Sequence, residues 1–198
     1  MTRQTPMATT LWSTPSLLRD GALIVGASLL VAIAAQVSVP MFPVPMTLQG
    51  LAVLFVGLSL GAWRGAAALS LYLAEGAMGL PVFANGGAGV AYMFGPTFGF
   101  LLGFVAMAFV AGFLSERVLG QSLPALIVAS LAGMAALYVP GVLWPFAVAS
   151  AFGVEAGWAS SSAAGLWSGW VAPFLIGDAV KVVIAALLVR AGFRAARG

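Results

Sequence analysis

Asp178 and Lys181 stand three residues apart inside "PFLIGDAVKVVIAALLVR" (Pro173 to Arg190), a run that is otherwise apolar up to its final arginine. On a helix that spacing puts both side chains on one face. Opposite charges on one face either satisfy each other as a packing lock or hold a polar ligand. Counted from Trp170 at 1.5 Å per residue, they lie roughly 12 and 16 Å along the helix. Inside a membrane such charges cost about 2.5–3.5 kcal/mol each even on a lenient insertion scale, and they mark substrate or ion pathways. Asn85, centred in "FANGGAG" (Phe83 to Gly89), brings an amide that both donates and accepts. Beside glycine its plain role is a left-handed turn. Gln49 brings the same chemistry directly after a proline-rich stretch, where it lines an outer cavity or solvates a helix end.

The missing residue types narrow the chemistry further. The chain has no His and no Cys, which removes imidazole bases, thiol nucleophiles, disulfides and the usual zinc and haem ligands. The glycines around Asn85 do not form a phosphate loop, because no G-x-x-x-x-G-K-[ST] is present. They let the backbone bend closely around something small. An ion channel stays open as a reading, although no ring of carboxylates or filter-like motif appears in the sequence. The pattern is one of binding, not of bond cleavage.

The elements that must position these residues are membrane helices. Of 198 residues, 62% are hydrophobic and 7% are charged, against roughly 25% charged in soluble domains. Seven per cent cannot coat a water-facing surface. Windows of about 20 apolar residues give six spans, at about 20–37, 47–62, 65–79, 96–115, 122–149 and 170–191. The fold class is therefore all-α, a six-helix transmembrane bundle in one domain, 1–198. The apolar runs are continuous where barrel strands would alternate. The second and third spans meet at the hinge "GAWRG", and Pro140 and Pro145 are expected to kink or end the fifth. Met1 to Ser16 is polar and does not read as a signal peptide.

Charge placement orients this map. Six spans put Arg3, Arg19, Arg64, Arg117, Arg190, Arg194 and Arg197 on one side. The other side receives only Glu75 and Glu155, both expected at the interface or in loops. By the positive-inside rule both termini are cytoplasmic, with residues 1–19 and the basic tail 192–198 on that side. The outer loops are unusual. Pro40, Pro43 and Pro45 stiffen the first. The connection between the third and fourth spans is long and Gly-rich, yet it carries Val82, Phe83, Tyr92, Met93 and Phe94. Long loops are usually functional, and this one is expected to fold back over the bundle as a lid. Trp158, Trp167 and Trp170 read as interfacial anchors. The small pairs Ala22/Gly26 and Ser28/Ala32 permit close helix contact, inside the bundle or with a partner, a second copy included.

Four stretches, "AQVSVPMFPVPMTLQGLAVLFVGLSLG", "LYLAEGAMGLPVFANGGAG", "GPTFGFLLGF" and "PFLIGDAVK", resemble the BioY family. These are the biotin-binding S components of energy-coupling-factor (ECF) transporters. The resemblance covers about residues 22 to 190 and is weakest in the fifth span. It implies a six-helix fold open to the outside of the bacterial cytoplasmic (inner) membrane, and high-affinity uptake of biotin. It also implies partners, a transmembrane coupling subunit and two cytoplasmic ATPases. The chain has no ATP-binding motif, is not read as an enzyme, and needs no cofactor or nucleic acid. Carried over by motif, the ligand-binding positions are Asn85, Asp178 and Lys181, with Gln49 and Tyr92 beside them and Phe83 as apolar cover. Biotin offers two ureido N–H donors, a ureido carbonyl, an apolar sulfur ring and a carboxylate. An acid, a cation and an amide answer the polar groups, and apolar loop residues cover the rest. Rival readings are uptake of another vitamin or a cation, and a structural membrane protein in which Asp178–Lys181 only locks packing.

Overall fold

The structure is a computed structural model that describes residues 16–152, 158–160 and 162–196. Helix α1 runs Leu17–Gln36 and is followed by a two-stranded antiparallel ribbon, β1 Ser38–Val39 and β2 Met46–Thr47. Then come α2 Gln49–Leu60, α3 Ala62–Ala77, a short 3-10 turn Ala84–Gly86 and α4 Gly89–Met93. Helix α5 is Phe98–Leu114, α6 Leu123–Phe152, α7 Ala163–Leu166 and α8 Leu175–Ala195.

Four helical stretches are long and apolar enough to cross a membrane, among the described residues: 17–36, 98–119, 123–151 and 163–195. The remaining two spans expected from the sequence differ. Helix α2 has 12 residues and α3 has 16, so at 1.5 Å per residue they extend about 18 and 24 Å, short of a core about 30 Å thick. The cause lies between them. Gly61 adopts φ 86°, a left-handed conformation that breaks the helix and is easy only for glycine.

Two further expectations are corrected. Pro140 and Pro145 do not end the fifth span, because α6 continues through both; each proline omits one backbone donor, and the rest of the 30-residue ladder carries the helix past it. Trp170 is not an interfacial anchor. It is 1% exposed, stacked on Phe100 with ring centres 5.9 Å apart, and packed with Val44 and Phe174. Trp167 remains exposed. Glu155, Arg3 and Arg197 lie outside the described residues.

Helix α5 packs against α2, α3 and α6, while α8 lies against α2 and α6, and α1 against α2 and α3. Backbones meet closely where side chains are small. A Cβ on Gly57 would stand 2.5 Å from the Ala108 carbonyl oxygen, and one on Gly112 would stand 2.6 Å from the Ala62 nitrogen. The small pairs of α1 divide their work. Ser28 and Ala32 are buried in the bundle, whereas Ala22 and Gly26 line a shallow apolar groove beside Ser59 and Leu60. Glu75 is not simply interfacial: it is half-buried, and one carboxylate oxygen accepts from Ser28 Oγ at 3.1 Å. At the far end of α1, Asp20 bridges Arg19 at 3.1 Å and Arg64 at 2.9 Å.

Candidate functional site

A cavity opens where the ribbon, α2, α5, α6 and α8 converge beneath the 84–97 segment. Its walls combine a large apolar surface with a few convergent polar groups, the composition that small-ligand sites share. Phe100, Leu101, Phe104, Leu137 and Phe174 form the apolar wall. The polar wall comes from α2, α6 and α8.

On α8, Lys181 Nζ donates to Asp178 Oδ1 at 2.9 Å, and both residues are 9% exposed. The sequence spacing is realised as an i,i+3 pair facing the cavity. The Tyr138 hydroxyl, from α6, donates to Asp178 Oδ2 at 2.6 Å. Each carboxylate oxygen thus has one donor and keeps further acceptor capacity, and the ammonium keeps two of its three donors. Helix α8 can carry this pair because the opposite side chains, such as Ile176 and Val180, are apolar and exposed, as a lipid-facing surface requires.

Gln49 opens α2 and is 4% exposed. Its amide is a link in a chain. Thr47 Oγ1 donates to Gln49 Oε1 (3.0 Å), Gln49 Nε2 to Tyr72 Oη (2.8 Å), and Tyr72 Oη to the Val82 carbonyl (3.1 Å). Of the two readings left open by the sequence, the structure places Gln49 on the cavity wall.

The 80–97 segment is folded, not a bare loop. Phe83 is fully buried, stacked on Tyr92 with ring centres 5.1 Å apart and edge-on to Tyr72 at 5.5 Å. Gly76 makes room for it, since a Cβ there would overlap the Phe83 ring. Gln36, at the end of α1, grips the segment from outside. Its Nε2 donates to the Phe83 carbonyl (3.1 Å), and its Oε1 accepts from the Gly86 N–H (3.0 Å). Tyr92 lines the cavity beside Thr97. Burial pushes its phenol up, so it stays a neutral donor.

The predicted residues therefore fall into two groups. Asp178, Lys181, Gln49 and Tyr92 come together on the cavity wall. Phe83 sits behind that wall as the core of the covering segment. Asn85 lies outside the cavity lining: it is exposed, adopts φ 57°, and accepts from Ser38 Oγ at 2.7 Å. Here the left-handed turn, which the sequence offered as its plain role, is what the backbone adopts.

Tyr138 was missed, hidden in a long apolar run. A signal was available. The chain has three tyrosines, and Tyr72, Tyr92 and Tyr138 all serve this site, as scarce polar groups in an apolar chain tend to.

The chain matches the BioY family over residues 3–198. A biotin transporter from Rhodobacter capsulatus is 42% identical over 169 residues, 83% of this chain and 87% of its own. One from Thermotoga maritima is 36% identical over 163 residues, 80% of this chain and 86% of its own. In fold, the chain is similar to the crystal structure of the S-component for biotin from an ECF-type ABC transporter. That likeness has a TM-score of 0.73 at 21% identity and covers 89% of this chain and 93% of the other. With the match running almost from end to end, this chain belongs to the BioY family.

Proposed function

We propose that the chain captures biotin from outside the cell as the substrate-binding S component of an ECF-type transporter. The observation that carries this reading is the buried Asp178–Lys181 pair, joined by the Tyr138 hydroxyl, on the wall of a largely apolar cavity. A pair serving only to lock helices needs no cavity beside it. Asp178 accepts a ureido N–H, Lys181 donates to the ureido oxygen, and Tyr138 holds the Asp178 carboxylate in place through its own hydrogen bond. Gln49 and Tyr92 add neutral polar contacts, and Phe100, Phe104 and Leu137 cover the sulfur ring. Phe83 and Asn85 act through the 80–97 segment, which serves as a lid held by Gln36 and Ser38.

The chain acts as a single membrane domain, 1–198, of six membrane-inserted helices, two of them short. Both termini are cytoplasmic. The chain works in the bacterial cytoplasmic membrane with a transmembrane coupling subunit and two ATPases, which supply the energy for release inward. Equilibrium binding of labelled biotin to the purified protein tests the reading. Saturable binding that unlabelled biotin competes away is expected; no saturable binding overturns it.

A further inference from the structure

The charges in and around the cavity say which part of the ligand the site reads. Among the described residues, Lys181 is the only Lys or Arg that lines the cavity. Arg19 and Arg64 are bound to Asp20 at the far end of α1. Arg190 lies nine residues further along α8, about 13 Å away along its axis. Lys181 is itself neutralised at 2.9 Å by Asp178, the one acidic residue on the wall. The wall thus sums to zero charge, and its remaining polar groups (Thr47, Gln49, Tyr92, Thr97 and Tyr138) are neutral.

A ligand carboxylate placed against this pair would leave one uncompensated negative charge in a buried, apolar setting. Burying an unpaired charge is strongly unfavourable. A neutral head that both donates and accepts meets no such cost. The ureido bicycle is such a head. It belongs at Asp178 and Lys181, and the acidic tail then points away from the pair, along a wall that offers no further charged side chain among the described residues.

We infer that the site recognises the uncharged ureido head and has no fixed partner for the carboxylate. It therefore accepts carboxyl-derivatised biotin, specifically small amides such as biotinamide and ε-biotinyl-lysine. This rests on the biotin reading above and defines the ligand class that the same site takes. Competition against labelled biotin on the purified full chain tests it, with biotin, biotinamide, ε-biotinyl-lysine and a biotin methylated on a ureido nitrogen. Loss of one hydrogen bond to a charged group weakens affinity roughly tenfold to a hundredfold. The two amides should bind within tenfold of biotin, while the ureido-methylated compound should lose more than that. If biotin binds but either amide is weaker by more than tenfold, the carboxylate has a fixed partner and the inference falls while the biotin reading stands. Equal affinity for the ureido-methylated compound would also overturn it. Absence of biotin binding would instead remove the reading beneath it.

Discussion

Asp178 and Lys181 are the residues on which a lock and a grip can be told apart. Removing one member of a buried ion pair leaves an unpaired charge and costs about 3–5 kcal/mol, whereas replacing both by apolar residues is often nearly neutral. The double change Asp178→Leu with Lys181→Met should therefore keep the thermal midpoint near that of the parent and abolish biotin binding. Melting and affinity should be measured on the same preparation. Retained affinity would reduce the pair to a helix lock. Tyr138 makes a finer test. Tyr138→Phe keeps the ring against Phe100 and deletes only the hydroxyl that donates to Asp178 at 2.6 Å. Affinity should fall roughly tenfold, the worth of one hydrogen bond to a charged group. Calorimetric titration showing an unchanged dissociation constant would exclude the phenol from the polar cluster that holds the ligand.

At the scale of elements, the 80–97 segment depends on its two attachments. From within, Phe83 seats on Gly76 and is flanked by Tyr72 and Tyr92. From without, the Gln36 amide bonds to both Phe83 and Gly86. Gly76→Ala drives a methyl group into the Phe83 ring, and Gln36→Ala removes the outer grip, so both should speed biotin release. Stopped-flow dissociation should show a faster off-rate in each, with slower proteolysis of the segment when biotin is bound to the parent. An unchanged off-rate in both variants would show that the segment does not cover the ligand. Much of this was legible in the sequence. Apolar side chains in a long outer connection had to be buried somewhere, and the spacing of Asp178 and Lys181 fixed a shared helix face. Other parts were not. Where Asn85 points depends on Ser38, 47 residues earlier in the chain, and no local pattern encodes that pairing. Trp170 reads as a belt anchor and Tyr138 draws no notice, because their partners, Phe100 and Asp178, come from distant helices. The break at Gly61 was visible as a hinge, yet how far α2 and α3 are shortened by it follows from packing at Gly57, Ala108 and Gly112.

For the whole molecule, the distribution of arginine decides which face is which. Arg19 and Arg64 converge on Asp20, Arg117 follows α5 and Arg190 and Arg194 close α8, so the described arginines cluster at helix ends away from the cavity. Positively charged loops are retained on the cytoplasmic side, and the topology proposed above accordingly has the cavity and the 80–97 segment facing outward. A chain without cysteine allows single-site labelling without background. Val90, 54% exposed in α4, and Val118, 56% exposed beside Arg117, sit on the two opposite faces and outside the binding wall. In intact cells an impermeant thiol reagent should label Val90→Cys and leave Val118→Cys unlabelled until the membrane is opened. Glu155→Cys, in the segment that the structure does not describe, should follow Val90→Cys. The reverse pattern would turn the bundle over. The cavity would then open to the cytoplasm, and capture from outside would be excluded by topology alone, whatever affinity the site has for biotin.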